Sequence, residues 1–185
     1  SLLFDDAGIW TPENLAKLYQ VFVAAPDEGE RSFTDKFRDQ VKPAGQAVIR
    51  LAAETLCVYF LFPSNVGGYR KRELINEVLG WGGDNMPAEH PVSAAFEHGI
   101  GSGGQGYNTR RPFEIGFLIE FAISWKKLSD AERTEALGDA WKFQARLDAV
   151  DGAEARQVRH MLLHLLFPDE FERIASGNHK RRVLS

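Results

Sequence analysis

His160 and His164 stand four residues apart in the run Arg159-His160-Met161-Leu162-Leu163-His164. On a helix, that spacing lets two imidazoles reach one zinc ion. No glutamate follows His160, so the H-E-x-x-H logic of a zinc protease is absent, and no cysteine lies close in sequence. A third ligand would have to come from Asp169, Glu172 or His179 through folding. The other reading makes the two histidines half-buried packing residues beside an apolar stripe. We take that reading and expect no metal.

Gly101-Ser102-Gly103-Gly104-Gln105-Gly106 spells G-x-G-x-x-G. This dinucleotide fingerprint is specific only when a strand precedes it and a helix follows at once. A helical segment precedes it here, and the Gly-Lys-Ser/Thr ending of a phosphate-cradling loop is missing. A weaker reading remains. Tyr107, Asn108, Arg110 and Arg111 arrive just before Pro112 starts a helix, where backbone N–H groups and the helix dipole favour an anion. Gly103, Gly104 and Gln105 would let the backbone come close, and the arginines would hold a phosphate or a carboxylate. The alternative is a flexible connector whose arginines pair with surface acids. Trp81, between glycines, would stack on a base, fill a partner's pocket or plug the core from outside. His179, Lys180, Arg181 and Arg182 form a further basic cluster.

Nucleophilic chemistry finds no support. Cys57 lies in the apolar run Leu56-Cys57-Val58-Tyr59, and no Gly-x-Ser-x-Gly elbow exists. Asp5, Asp6 and Asp84 lack a companion lysine pattern. No catalytic residue and no cofactor are expected.

The elements that would position these residues read as helices. Thr11-Pro12-Glu13 supplies a cap, a first-turn proline and a first-turn acid for a helix reaching about Ala24. Ser32 and Thr34 can cap the next. Residues 44–62 and 112–125 are apolar on most faces, as central helices should be. Shorter helices are expected over 71–79 and 92–98. The Gly-rich stretch 99–106 reads as a break, and Ser129-Asp130-Ala131-Glu132 reads as a capping box opening one helix to about Val150. Val158, Met161, Leu162, Leu165 and Leu166 recur at helical spacing. The expected fold class is all-α: one compact domain over 1–185 with about seven to eight helices around two mostly apolar central ones. Leu61-Phe62-Pro63 and Leu166-Phe167-Pro168 echo one another, which shared packing logic explains as readily as duplication.

Composition agrees with a globular chain: 185 residues, 44% hydrophobic, 26% charged. No stretch reaches the roughly 18 uncharged apolar residues of a membrane span. The single cysteine excludes an intrachain disulfide, and a cytoplasmic location is expected. The net charge of −4 is uneven: residues 156–185 carry six Lys/Arg against three Asp/Glu, so that end is +3 and the remainder −7. A basic end on an acidic body suits an anionic partner or a solvated helix end.

The string Leu165-Leu166-Phe167-Pro168-Asp169-Glu170-Phe171-Glu172-Arg173-Ile174-Ala175-Ser176-Gly177-Asn178-His179-Lys180-Arg181-Arg182 resembles a segment ahead of the motor in McrB-type AAA+ GTPase subunits of modification-dependent restriction systems. Gly99-Ile100-Gly101 and the run from Gly106 through Tyr107, Asn108 and Arg110 to Glu114 are similar to the same group, so the likeness spans about residues 45–185. It implies a chain continuing past its C-terminus into a ring-forming AAA+ module that recruits an endonuclease subunit. The family's Walker motifs are absent, so no catalytic residue carries over. Its DNA-recognition domains contain sheet, whereas this chain reads as helical, which argues against base flipping. The expected function is a non-catalytic accessory domain that contacts DNA or couples target recognition to the motor. The alternative is an adaptor that docks on its own motor or a partner subunit without nucleic acid.

Overall fold

In the computed structural model, residues 2–4, 8–87 and 89–174 are described. The basic cluster His179 to Arg182 lies outside them. Ten α-helices appear among the described residues, against the seven or eight expected, and the only β-type pairing is one isolated bridge between Pro63 and Gly101. The fold class is all-α. No described helix is long and apolar enough to cross a membrane. The chain divides into two compact units: residues 1–61 with 66–98, and residues 62–65 with 99–185.

The first unit is built on α3, Gln46–Leu61, the apolar helix expected from the sequence. Around it lie α1 (Pro12–Leu18, continuing as a π-helical turn Tyr19–Val23), α2 (Phe33–Val41), α4 (Gly68–Gly80) and α5 (Pro91–His98). Thr11 and Ser32 cap α1 and α2 through their hydroxyls. Ala52 and Ala53 on α3 are fully buried, which lets neighbouring backbones approach. Glu54 is buried too, and it accepts from the Leu2 and Leu3 N–H groups at 2.6 Å and from Trp10 Nε1 at 2.5 Å. One carboxylate thus ties the N-terminal segment to the middle of α3.

The second unit centres on α7, Arg111–Lys126, which buries Glu114 through Ile119 without interruption. With it stand α6 (Gly104–Thr109), α8 (Asp130–Leu137), α9 (Ala140–Asp148) and α10 (Gln157–Leu166). Two expectations need correction. The stretch 99–106 is not a loop throughout, because α6 begins at Gly104. The helix expected over 129–150 is two helices. The Ser129–Glu132 capping box opens α8 as foreseen, but Asp139 accepts from the Trp141 and Lys142 N–H groups and starts α9 afresh. A side chain that satisfies two orphan donors makes a restart at Gly138-Asp139 cheaper than an unbroken helix.

Residues 62–65 belong to this second unit. Ser64 N–H donates to Gly101 O at 2.8 Å, and Ile100 N–H donates to Phe62 O at 2.7 Å. The approach demands glycine at 99, where φ is +51° and a Cβ would sit 2.5 Å from Ser64 Cα. Phe62 is buried with its ring edge-on to His164 of α10, centroids 6.2 Å apart.

Candidate functional site

The Gly-rich segment and its flank were expected to cradle an anion with backbone. The structure corrects this. Gly103 is buried, and a Cβ there would meet the Tyr107 ring at 2.7 Å, so the glycine makes room for the chain's own tyrosine. Tyr107 is itself fully buried and presents nothing to a ligand. Gly104 (φ +72°) and Gln105 start α6, where the Gln105 carbonyl accepts from Thr109 Oγ1. The start of α7 is closed as well. Pro112 has no N–H, Phe113 and Glu114 donate to Arg110 O, and Arg110 N–H donates to Gly106 O. No backbone cradle remains there for a phosphate.

Side chains remain. Arg110 is exposed at the α6–α7 junction, and Arg111 and Asn108 beside it are half-buried. Phe113, in the first turn of α7, is 64% exposed, and the Arg156 guanidinium lies over its ring at 5.3 Å from the centroid. Neither Arg110 nor Arg156 forms an ion pair with any described residue.

Glu114 explains why Arg156, 43 positions from Phe113, arrives at this place. It is buried in α7 and accepts from Gln157 N–H at 3.2 Å and Val158 N–H at 2.9 Å, the first donors of α10. A carboxylate at a helix start satisfies orphan donors and complements the dipole. Burial pushes the Glu114 carboxyl above its usual range, against the pull of those two hydrogen bonds and of Arg156 and Arg110. Glu120 is also raised, by burial first and by Asp151 second, while Arg156 opposes.

The other singled-out residues among those described have contacts within the chain. Trp81 closes α4 and is half-buried, with its ring edge-on to Phe37 at 6.0 Å. Its loop is fixed by Asp84, which accepts from Arg50 Nε at 2.8 Å and Nη2 at 3.0 Å; these bonds hold the Asp84 carboxyl below its ordinary range. His164 Nδ1 lies 2.7 Å from Phe171 O, so that nitrogen carries the proton, and His160 Nδ1 lies 3.2 Å from Arg159 Nη1. Both histidines are half-buried packing residues, and no group of three metal-ligating side chains occurs among the described residues. Cys57 is buried, and desolvation drives its thiol pKa far upward. Lys71 is buried in α4; its Nζ donates to Phe96 O in the last turn of α5 at 3.3 Å, and desolvation lowers its pKa.

The reading of residues alone missed Phe113 and Arg156. Phe113 sits in an apolar run where an aromatic counts as core. The available signal was Glu114, an acid in the first turn of a mostly apolar helix. No family model matches the chain, and neither does any curated protein or solved structure.

Proposed function

We propose that the chain is a non-catalytic accessory domain of an McrB-like AAA+ restriction or defence protein, cytoplasmic, with its second unit contacting DNA. The observation that carries this reading is an exposed Phe113 with the Arg156 guanidinium over its ring and Arg110 three residues before it in the chain, neither arginine in an ion pair with a described residue. Guanidinium groups suit phosphate, and an aromatic ring suits a base. The buried charges Glu54, Lys71 and Glu114 support a non-catalytic role, because each is engaged with backbone groups at hydrogen-bond distance. The sequence likeness supplies the downstream motor and the endonuclease subunit as partners.

Fluorescence anisotropy with labelled DNA, single- and double-stranded, at about 50 and 200 mM salt tests the reading. Each neutralised phosphate adds about 0.7 (single strand) to 0.9 (duplex) to the log–log salt slope, so two arginines give a slope of about 1.4 to 1.8. Arg110→Ala and Arg156→Ala should each reduce it by about half. Absence of binding to either form at the lower salt removes the DNA function.

Trp141 favours a second reading, the protein-binding adaptor. It is 65% exposed in the first turn of α9, against Phe171 at 5.3 Å, and Leu137 at the end of α8 is also exposed. Large apolar side chains left in water mark interaction surfaces. On this reading the chain captures its motor fragment without DNA and Trp141→Ala weakens the capture. Equal capture by the variant excludes it.

A further inference from the structure

We infer that the DNA bound at the Arg110–Phe113–Arg156 surface is single-stranded, with an unpaired base stacked on the Phe113 ring. This rests on the DNA reading above and specifies the form of the ligand.

Charge decides against a duplex. Among the described residues the surface offers two exposed or half-exposed guanidiniums without an ion-pair partner, and acids act on them. Arg156 acts on the charge of Glu120, which in turn feels Asp151, and both arginines act on the charge of Glu114. Duplex binders neutralise several phosphates, commonly six to ten. With about two available among the described residues, their phosphate contacts alone leave binding weak. The missing affinity must come from a contact that is not ionic.

Phe113 supplies that contact. Its ring is mostly in water, although α7 has a buried face available to an aromatic, as Phe117 shows. The Arg156 guanidinium holds the ring from one side and leaves most of its surface open. Bases in a duplex are already stacked on their neighbours, and only an unpaired base presents a π-face to a projecting side chain. Base–aromatic stacking of this kind tolerates any sequence. The layered arrangement guanidinium, ring, base then places the strand's phosphates within reach of Arg110 and Arg156.

The deciding experiment compares a labelled oligo-dT with a duplex of the same length, on the intact chain and on three variants. Single-stranded DNA should bind at least about tenfold more tightly than duplex, and Phe113→Ala should lose about tenfold on the single strand, within the range of one stacked base. Phe113→Trp should retain affinity. Phe113→Leu should behave like alanine, because it keeps apolar bulk without a π-face. Phe113 is exposed, so these variants should fold, which far-ultraviolet circular dichroism checks. Duplex binding as tight as single-strand binding, an unchanged Phe113→Ala, or retained affinity in Phe113→Leu overturns the inference while leaving DNA contact standing. No binding to either form overturns both.

Discussion

Glu114 shows how this chain uses a buried charge. An ionised carboxylate taken from water is costly unless hydrogen bonds repay it, and here two α10 N–H groups do so in part. Because burial dominates, Glu114 binds its proton more tightly in the folded chain than in the unfolded one, where the value is near 4.5. Between those two values the folded state holds the extra proton, so stability is greatest at the acid side and is lost as pH rises through the folded value. Glu120 shifts the same way and contributes in the same direction. Asp84 has the opposite sign, but its change lies below 3.8, outside this window. Glu114→Gln should therefore flatten, without abolishing, any decline in the urea midpoint as pH rises above about 4.5. An unchanged profile would show that the carboxyl ionises without cost. Glu114→Ala should be worse at every pH, since it orphans the buried Val158 N–H, a loss of about 1–3 kcal/mol, along with the part-buried Gln157 N–H.

At the scale of elements, short-range signals were legible wherever one side chain settles the outcome. Thr11 and Ser32 cap their helices, Ser129 and Glu132 form their box, and the apolar runs become α3 and α7. The failures have a common cause. In α6, the sequence Gly-Gln-Gly-Tyr-Asn-Thr has poor helix propensity, and burial of Tyr107 overrides it. At 138–139, periodicity argued for continuity while Asp139 carried a competing cap. The candidate site was half legible for the same reason. Arg110 and Arg111 stood out as neighbours in sequence, whereas Phe113 meets Arg156 only because Glu114 draws in the start of α10 from more than forty residues away. No periodicity in the chain encodes that meeting.

For the molecule as a whole, the division into units does not follow the order of the chain. Four residues, 62–65, leave the first unit's sequence to complete the second, and the chain returns to the second only at Gly99. A fragment beginning at Gly99 therefore lacks Phe62, with its buried ring against His164, and the carbonyl that Ile100 needs. Deleting a buried phenylalanine side chain costs about 3–5 kcal/mol. Residues 99–185 made alone should unfold at a clearly lower urea concentration than the same residues in the intact chain, followed by fluorescence of Trp125 and Trp141 with Trp10 and Trp81 replaced by Phe in the intact chain. Equal midpoints would show that 62–65 contribute nothing.

The detour through Phe62 also sets a schedule for the nascent polypeptide. Phe62 emerges from the ribosome about a hundred residues before His164, the partner that covers its ring. At about 5–20 residues per second, this phenylalanine waits roughly 5–20 seconds for its lining to be translated. Throughout that interval it is an apolar handle, open to holdase chaperones on a half-made protein.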